Sequence, residues 1–539
     1  MNTPGHFNFP RNLRADKAAK EAAFQAPIDS FAAGLVALDL KKGDHIAIWA
    51  PNVIEWYISI LAIIKAGFVA VNLNPLYECP ELESSLKKTD VKALIIGDTL
   101  NERNYYRMME KIIPNISSYR SAVPISCDNL PLLKILIVIS SEIYNGAYRW
   151  CDVLTLPTNY HRLKLTEIEK EICIHDSCNI QFTSGTTGMT KGATLSHYNV
   201  VNNSYFIGKR MLLMKKHHVI CLQVPLFHTF GTVLGIFISL HYGATLVIPS
   251  LKFSPSRSIE SIIKYKCTVV YGTPTMYIDL ITIAQNRLKT DPSIFSKLSS
   301  LEIAVTSGAL CTPDLFKQMM KTFNLKKIYS GYGMTEVSPI AFFSKYDDSE
   351  YLITTTVGSV LDHTEVKVVN KDFQTVPFGV AGEVCFKGYG VMKGYYNEPE
   401  TTKRSFLDDG WLRSGDKLIL MENGYGKIVG RIKDTILRGG ENIEPGEIEI
   451  VLMTHPDIVN VQVYGVSDDR LGEVVATSIV KREHSTLNEE DVKKFCEGKF
   501  ASYKIPKYVK FVQDYPRTAS GKIQKVRLRE MLERELKLR

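Results

Sequence analysis

Apolar residues follow two different spacings along most of the chain. Ile54–Ile64 places them at helical intervals, whereas Phe68–Asn72 and Ala93–Gly97 are short β-branched runs. Further short apolar runs predict buried strands at Leu136–Ser140, Asn179–Phe182, Cys221–Val224, Ala244–Ile248, Cys267–Tyr271, Leu301–Val305 and Lys327–Tyr329. Because these strands alternate with helices of roughly 10–15 residues, the pattern predicts a mostly parallel α/β sheet.

The pattern changes near Gly358 and again after Lys433. Short strands separated by Gly, Pro and Asn predict a small β-rich subdomain, at Glu365–Val369, Gly382–Lys387 and Tyr425–Val429. A helix, a hairpin and a second helix then predict a small α+β unit, at Pro445–Thr454, Asn460–Val466, Val474–Lys481 and Glu489–Gly498. We therefore predict an α/β fold with a large domain over residues 1–432 and a small domain over residues 433–539.

The composition is that of a large globular protein with a basic C-terminus. The 539 residues are 45% hydrophobic and 23% charged, which is enough apolar material for more than one core. The formal net charge is +8, and Tyr503–Arg539 holds eleven Lys and Arg against four Asp and Glu. Such a segment attracts nucleic acid, anionic lipid or a polyanionic small molecule, and charge alone does not choose among them.

Cysteine usage and the chain ends bear on the compartment. The ten cysteines contain no Cys-x-x-Cys pair, so no disulfide framework or zinc site is predicted and a reducing compartment fits better. No apolar run reaches 18 residues, which predicts no transmembrane segment. Residues 1–27 hold four basic and two acidic residues without an apolar core, so they resemble a weak mitochondrial presequence and not a secretory signal. The final Leu-Lys-Leu-Arg is not the Ser-Lys-Leu peroxisomal signal.

The stretch Thr183–Gly192 reads TSGTTGMTKG and has the composition of an anion-binding loop. Glycines let backbone N–H groups converge on an anion, hydroxyls add donors and the lysine adds charge. A Walker A loop counted from Gly185 needs a second glycine at position 190, but Thr190 stands there and Lys191 is followed by glycine. The loop is therefore predicted to bind phosphate outside the P-loop NTPase class.

This loop and five later segments, in the same order, resemble the adenylate-forming acyl-CoA synthetases, whose phosphate loop reads TSGTTGxPKG. The five segments are PLFHTFG at Pro225–Gly231, YGMTE at Tyr332–Glu336, GWLRSGD at Gly410–Asp416, GRIKDTILRGGENIEPGEIE at Gly430–Glu449 and PRTASGKIQK at Pro516–Lys525. The resemblance runs from about Leu38 to the end of the chain. The stretches HYNVVNNS, YGTPTM and KGYGVMKGYYNEP look most like medium-chain fatty acyl-CoA ligases, which are mitochondrial.

The resemblance implies two half-reactions that use ATP, Mg²⁺ and CoA. A fatty carboxylate attacks the α-phosphate of ATP and gives acyl-adenylate and pyrophosphate, and CoA thiolate then displaces AMP. AMP supplies the good leaving group that a carboxylate lacks, and the site brings anions together and offsets their repulsion. The implied partners are small molecules and not nucleic acid. The implied location is mitochondrial, with the cytoplasm as the alternative.

The resemblance also implies an ATP site. Its residues for the β- and γ-phosphates would be Thr183, Ser184, Gly185, Thr186, Thr187, Gly188 and Lys191. The residues that line adenine would be Ser307, Gly308 and Ala309. Tyr332 would stack on adenine, Asp416 would accept hydrogen bonds from the ribose hydroxyls, and Arg431 would reach the same sugar.

Four residues are implied to act at the reacting atoms. Lys522 is a compact cation that would touch both the substrate carboxylate and the α-phosphate. Thr335 would contact the α-phosphate, and Glu336 would help to bind Mg²⁺, which prefers hard oxygen ligands. His228 would border the approach of acyl group and thiol, for orientation and gating more than as a general base.

Lys433 is implied to be the hinge of a mobile C-terminal domain. One orientation would turn Lys522 toward the site for adenylation, and the other would turn Arg438, Gly439 and Gly440 toward it to bind CoA. The basic tail would then meet the phosphates of CoA. The acyl pocket would be lined by Phe227, Phe230, Tyr271, Met276, Gly331 and residues 306–309.

The chain departs from the family pattern in two places. Only about 40 residues precede Lys42-Gly43-Asp44, and the usual Tyr/Phe-x-x-Leu segment is missing, so we expect a truncated or atypical N-terminal part. Thr190 replaces the usual proline of the phosphate loop. Threonine does not fix φ as proline does but adds a hydroxyl, and we predict a small effect on ATP affinity.

Other functions stay open at this point. An adenylating enzyme could take an aryl or long-chain acid, or load a carrier protein. A catalytically impaired homologue could bind adenylate without reacting, although Lys522, Glu336 and Asp416 are all present. The plainer interpretations of single residues are a surface lysine, a solvated glutamate, a turn-forming aspartate and a core histidine at 228. Chain-length preference and oligomeric state are not predicted.

Overall fold

The computed structural model describes residues 25–183, 190–308, 311–439, 441–499, 501–518 and 521–538. Several predicted site residues lie outside the described residues, namely Ser184, Gly185, Thr186, Thr187, Gly188, Ala309 and Gly440. Most of the segment predicted as a presequence also lies outside them. Within these ranges, no helix has the length and apolar character needed to cross a membrane.

The first sheet of the large domain has eight strands. Across the sheet they are Gly394–Tyr395, Lys191–Ser196, Ser177–Thr183, Val69–Asn72, His45–Trp49, Val91–Ile96, Ile135–Val138 and Tyr148–Arg149. The six strands from Ser177–Thr183 onward are parallel, and the first two pair antiparallel at the edge. Their nearly continuous burial explains the apolar runs, because parallel strands are covered on both faces.

A second sheet of seven strands supplies most of the loops around the site. Its strands, in order, are Thr245–Val247, Val219–Cys221, Val269–Gly272, Ile303–Ser307, Lys327–Tyr332, Phe342–Phe343 and Ser359–Val360. The first five are parallel and the last two antiparallel. Both Ile303–Ser307 and Lys327–Tyr332 therefore end at the same edge, which brings the segments that follow them together.

The β-rich subdomain is a four-stranded antiparallel sheet. Its strands are Thr364–Val369, Ala381–Gly388, Leu412–Leu420 and Gly426–Arg431. The C-terminal unit has a five-stranded sheet made of Glu441–Ile443, Ile436–Arg438, Gly472–Lys481, Ile458–Asp468 and Tyr508–Phe511. Its own apolar clusters are separate from those of the large domain, as the change of pattern after Lys433 predicts.

Helices cover the sheets of both units. In the large domain they span 25–37, Ile54–Lys65, Cys79–Lys88, Tyr105–Ile112, Trp150–Val153, Asn159–Glu171, His197–Arg210, Thr229–Gly231, Thr232–Phe237, Ile238–Tyr242, Pro255–Tyr265, Pro274–Leu288, Ile294–Lys297, Pro313–Phe323, Glu350–Thr355 and Pro399–Ser405. In the C-terminal unit they span Pro445–Leu452, Glu489–Cys496 and Lys525–Glu535. Short 3₁₀ turns lie at Ile116–Ser118, Leu213–Lys215, Thr335–Val337, Ile432–Asp434 and Ser502–Lys504, and the short pair Thr99–Leu100 and Arg103–Asn104 forms a separate ribbon.

The predicted α/β class, with a large first domain and a small second one, is confirmed. One predicted strand is misplaced. The run Cys221–Val224 predicts a strand there, but the strand in the structure spans Val219–Cys221, so the two share only Cys221. Pairing with Thr245–Val247 and Val269–Gly272 stops at Cys221, and the apolar residues beyond it are buried as loop. Burial alone does not fix where a ladder ends. The boundary at residue 433 stays a prediction, and it falls in the turn between Gly426–Arg431 and Ile436–Arg438.

Candidate active site

Two paired strands hold the ends of the phosphate loop. Thr183 lies directly opposite Lys191 in the antiparallel pair of Ser177–Thr183 and Lys191–Ser196. Thr190, the residue that departs from the family pattern, is anchored by two neighbours. Lys88 Nζ donates to its carbonyl oxygen over 2.7 Å, and its side chain hydrogen-bonds to Tyr77. Burial is the largest cause that raises the pKa of Tyr77, to about 12.

A tyrosine connects Lys191 to Glu336. The Nζ atom of Lys191 lies 5.1 Å from the centroid of the Tyr395 ring, and the Tyr395 hydroxyl donates to Glu336 Oε1 over 2.7 Å. Glu336 is 6% exposed and lies with Thr335 in the 3₁₀ turn after Lys327–Tyr332. Burial raises the pKa of Glu336, while the bond from Tyr395 and the charges of Arg431 and Lys191 act in the opposite direction.

A second cluster gathers around Asp416 at the end of the β-rich subdomain. Asp416 and Arg431 are cross-strand neighbours, and Arg431 Nε lies 3.3 Å from Asp416 Oδ1. The Tyr332 hydroxyl donates to Asp416 Oδ2 over 2.6 Å. Asp416 is 8% exposed, so these two partners hold an otherwise costly buried carboxylate. The structure therefore joins Tyr332, Asp416 and Arg431, three of the residues predicted for adenine and ribose, through one hydrogen bond and one ion pair.

The turn after Ile303–Ser307 lies beside the same group. Ser307 Oγ donates to the carbonyl of Gly331 over 3.0 Å, which ties the turn to the neighbouring strand. Gly308 has φ of +90°, a conformation that residues with a side chain rarely adopt. A Cβ atom at Gly308 would lie 3.5 Å from Lys522 Cε. This is an ordinary van der Waals distance, so the positive φ, and not the approach of Lys522, is the reason for glycine at 308, and the lysine of the small domain lies beside the backbone of the large domain.

Lys522 lies on a hairpin whose arms pair at Arg517 and Ile523. Thr518 N–H donates to the Lys522 carbonyl over 2.7 Å, and Lys522 N–H donates to Thr518 Oγ1 over 3.1 Å. The hairpin contacts the start of helix Pro274–Leu288, where Arg517 Nη1 donates to Thr275 Oγ1 over 2.9 Å. The lysine is therefore placed by backbone bonds within its own domain and by a side-chain bond across the domains.

The electrostatics show which groups Lys522 faces. Its pKa is lowered, first by burial and then by Arg431, while Asp416 and Glu336 raise it. Lys522 is in turn a cause of the lowered pKa of His228, after burial of the imidazole itself, which brings that pKa to about 3. Lys522, Glu336, Asp416, Arg431 and His228 are thus close enough to influence one another's charge.

His228 is neutral at physiological pH because of this low pKa. Its Nδ1 accepts a hydrogen bond of 3.1 Å from the Phe230 N–H and caps the short helix Thr229–Gly231. A nitrogen that accepts from the backbone in a neutral ring leaves the proton on Nε2. The arrangement suits a group that orients a neighbour and not an acid that donates from an imidazolium.

The predicted acyl-pocket residues form a buried aromatic layer. The Phe230 and Tyr271 rings stack with centroids 5.8 Å apart and 26° between their planes. Both are buried, as is Met276, whereas Phe227 is half-buried. Among the described residues, the Tyr271 and Thr306 hydroxyls have no hydrogen-bond partner.

The predicted CoA residues bond within the C-terminal unit, whereas the predicted hinge residue Lys433 lies close enough to Arg431 and Asp416 to interact with their charges. Arg438 ends a strand of the C-terminal sheet, and Gly439, with φ of +57°, donates its N–H to the Leu471 carbonyl over 2.8 Å. These contacts are within the C-terminal unit. Lys433 is exposed in the turn Ile432–Asp434, and its pKa is lowered, chiefly by partial burial and then by Arg431.

The residues present fit one Mg²⁺ ion held largely by its substrate. Among the described residues, no group of three or more His, Cys, Asp and Glu side chains could hold a metal by itself. Mg²⁺ keeps several waters and uses one or two carboxylates with substrate phosphates. Glu336, a buried carboxylate in electrostatic contact with Lys191 at the end of the phosphate loop, would provide that single ligand.

Two groups of residues at the site were not predicted from the sequence. Tyr395 lies in the quoted stretch KGYGVMKGYYNEP, but two adjacent tyrosines give no signal for which one faces the site. Arg517 and Thr275 join the domains, and nothing local marks a pair 242 positions apart. Only the fold shows such contacts.

Lys522 comes from the small domain and faces two buried carboxylates beside the ends of the phosphate loop. This arrangement is typical of an enzyme that binds a nucleotide between two domains and activates it for reaction. Residues 22–396 match the AMP-binding enzyme family, and residues 447–522 match the AMP-binding enzyme C-terminal domain. The chain belongs to the AMP-binding enzyme family. The resemblance drawn from the six motifs is thereby confirmed.

Named relatives and solved structures are similar to almost the whole chain. It is 41% identical over 519 residues to the medium-chain acyl-CoA ligase ACSF2, mitochondrial, of Danio rerio, across 96% of this chain and 84% of the relative. This agrees with the likeness of the quoted stretches to the acyl-CoA synthetase family member 2 type. The ATP-bound MatB of Rhodopseudomonas palustris superposes with a TM-score of 0.80 at 26% identity, covering 95% and 93% of the two chains. The anthranilate CoA ligase AuaEII with anthranoyl-AMP has a TM-score of 0.81 at 25% identity, covering 95% and 92%.

Proposed function

We propose that this protein is an ATP-dependent fatty acid–CoA ligase that acts on medium-chain acids. The observation that carries the proposal is the position of Lys522, which comes from the C-terminal domain and lies against Gly308 within electrostatic reach of Glu336 and Asp416. The substrate class is taken from the name of the fish relative. The products are acyl-adenylate and pyrophosphate, and then acyl-CoA and AMP.

In the first half-reaction, Lys522 offsets the repulsion between the acid and ATP. A carboxylate oxygen attacks the α-phosphorus, the bond to the bridging oxygen of pyrophosphate breaks, and pyrophosphate leaves with the electron pair. Lys522 stabilises the negative charge on the α-phosphate and the carboxylate, and Thr335 contacts the same phosphate. A cation that is held in place in a partly desolvated site is effective because it does not have to reorient during the reaction.

The remaining residues bind and orient the nucleotide. Asp416, held by Tyr332 and Arg431, accepts from the ribose hydroxyls, and Thr183 and Lys191 hold the β- and γ-phosphates. Ser307 and Gly308 line the adenine edge. Glu336 would hold Mg²⁺, whose charge, when bound, neutralises the phosphates.

The second half-reaction needs a different orientation of the C-terminal domain. The CoA sulfur attacks the acyl carbonyl and AMP leaves, and Arg438, Gly439 and Gly440 serve this step. We take the turn Ile432–Asp434, which contains Lys433, as the hinge between residues 1–432 and residues 433–539, because it joins the last strand of the β-rich subdomain to the C-terminal sheet. His228 stays neutral and orients the approaching groups.

The test is pyrophosphate release with a panel of acids. We expect release with octanoate and decanoate to exceed release with butanoate, hexadecanoate, benzoate and anthranilate, and acyl-CoA to appear only when CoA is added. Preference for the aromatic acids would replace the substrate class and keep the adenylating chemistry. Release with none of these acids would reject both ligase proposals and favour a homologue that only binds adenylate.

We further propose a mitochondrial location, from the name of the fish relative. Its test is fractionation of cells that express the full-length chain with a C-terminal tag. Tagged protein protected from protease inside mitochondria would support it, and tagged protein in the cytoplasm alone would reject it.

A further inference from the structure

Tyr395 lies between two groups that the proposed reaction uses, yet it belongs to none of the six motifs. Its strand, Gly394–Tyr395, pairs with the strand that begins at Lys191, with Tyr395 opposite Ala193. Its hydroxyl donates to Glu336 Oε1 over 2.7 Å, and Lys191 Nζ lies 5.1 Å from its ring centroid. One side chain thus contacts both the buried carboxylate and the phosphate-loop lysine.

The two segments that meet at this contact are fixed independently of it. Met392 N–H donates to the Glu336 carbonyl over 2.9 Å, which joins the backbone before Tyr395 to the turn of Glu336. Tyr395 N–H donates to Thr402 Oγ1 over 2.9 Å, which fixes the tyrosine backbone. The hydroxyl is therefore presented to the carboxylate by a rigid frame, and removing it does not remove the frame.

We propose that Tyr395 is a positioning residue whose hydroxyl keeps the Glu336 carboxylate aimed at the metal–phosphate end of ATP and whose ring holds the Lys191 ammonium. The proposal rests on the proposed ligase function. A hydrogen bond from a hydroxyl to a carboxylate is charge-assisted and directional, so it fixes which way the carboxylate points. The ring face attracts a nearby ammonium.

The experiment compares Tyr395→Phe with Tyr396→Phe. Tyr396 is the matched control, because its hydroxyl donates to another carboxylate, Asp90 Oδ2, over 3.0 Å. We expect Tyr395→Phe to lower kcat/KM for ATP at neutral pH by about tenfold, the effect of one hydrogen bond to a charged group. Tyr396→Phe should leave kcat/KM for ATP unchanged.

Two further measurements separate positioning from a merely structural role. Calorimetric binding should show that Tyr395→Phe weakens binding of MgATP more than binding of ATP in EDTA. In a Glu336→Gln background, Tyr395→Phe should have no further effect, whatever its effect on melting temperature. Tyr395→Leu, which also removes the ring, should weaken ATP binding in EDTA as well, because Lys191 loses its partner.

A failure of the proposed role of Tyr395 can be told apart from a failure of the proposed ligase function. A wild-type protein that releases no pyrophosphate would reject the ligase proposal, and unequal loss of MgATP and ATP binding in Tyr395→Phe could still be measured. An active wild type whose kcat/KM for ATP is unchanged in Tyr395→Phe, or equal losses of ATP binding with and without Mg²⁺, would overturn the role of Tyr395. So would an undiminished effect in the Glu336→Gln background.

Discussion

Two turns of the C-terminal domain differ in what they touch. The turn of Lys522 reaches the large domain, with Arg517 bonded to Thr275 and the lysine beside Gly308. The turn of Arg438 and Gly439 bonds to Leu471 within its own domain. A single rigid orientation therefore offers the site only one of the two groups that the proposed reaction needs. Under the proposed mechanism, the difference favours assigning this orientation to adenylate formation, and thioester formation would then require rotation of the C-terminal domain.

The strongest way to break the comparison is Lys522→Ala. We expect adenylation to fall by about 10²–10³-fold, the range seen when one preorganised group at developing charge is removed. Conversion of synthetic acyl-adenylate to acyl-CoA should change by less than about threefold, since Lys522 has turned away in that step. Pyrophosphate release and thioester formation measure the two steps separately. Full adenylation by Lys522→Ala would reject the mechanism.

Asp416→Ala tests the same comparison from the large domain. Under the proposed mechanism, Asp416 binds the nucleotide in both orientations of the C-terminal domain. We expect the KM for ATP to rise by about 10–100-fold and acyl-adenylate use to weaken as well, since hydrogen bonds to a carboxylate are lost in each state. Tyr332→Phe is the control that removes one partner of Asp416 and keeps the carboxylate. An effect of Asp416→Ala on only one half-reaction would contradict a shared nucleotide site.

Arg438→Ala is expected to affect the two half-reactions in the opposite way to Lys522→Ala. We expect thioester formation to slow by about tenfold, the loss of one charged contact, with adenylation unchanged. Lys493→Ala, which removes a surface lysine of the same domain that pairs with Glu489, controls for charge. Slower pyrophosphate release in single turnover without CoA would show that Arg438 acts in the first step and would remove the contrast between the two turns.

The smallest effect is expected for Thr190→Pro. Proline keeps the carbonyl that accepts from Lys88 and loses the contact with Tyr77. It also restricts φ at the loop exit, so the two changes oppose each other. We expect the KM for ATP to change by less than about tenfold, with Thr190→Val as the control for loss of the hydroxyl alone. A larger change in steady-state ATP kinetics would show that the loop exit is a determinant of affinity.

The α/β alternation and the unit after Lys433 could be predicted because apolar periodicity reports burial directly. The misplaced strand at Cys221–Val224 shows the limit, since burial continues where pairing stops. At the site, motif resemblance identified Glu336, Asp416, Arg431 and Lys522 without their distances. Tyr395 could not be predicted, because its partners come from distant segments that only the sheet brings together.

The central claim is that this orientation of the C-terminal domain forms adenylate and cannot form thioester. Its most direct test is a reducible bis-methanethiosulfonate cross-link between Arg517→Cys and Thr275→Cys, at the contact that joins the domains, because an arginine side chain spans more distance than a direct disulfide. The cross-linked protein should still form acyl-adenylate and pyrophosphate, should fail to convert acyl-adenylate to acyl-CoA, and should recover on reduction, whereas each single-cysteine variant treated alike should do both. Acyl-CoA formation at an undiminished rate by the fully cross-linked protein would contradict the account.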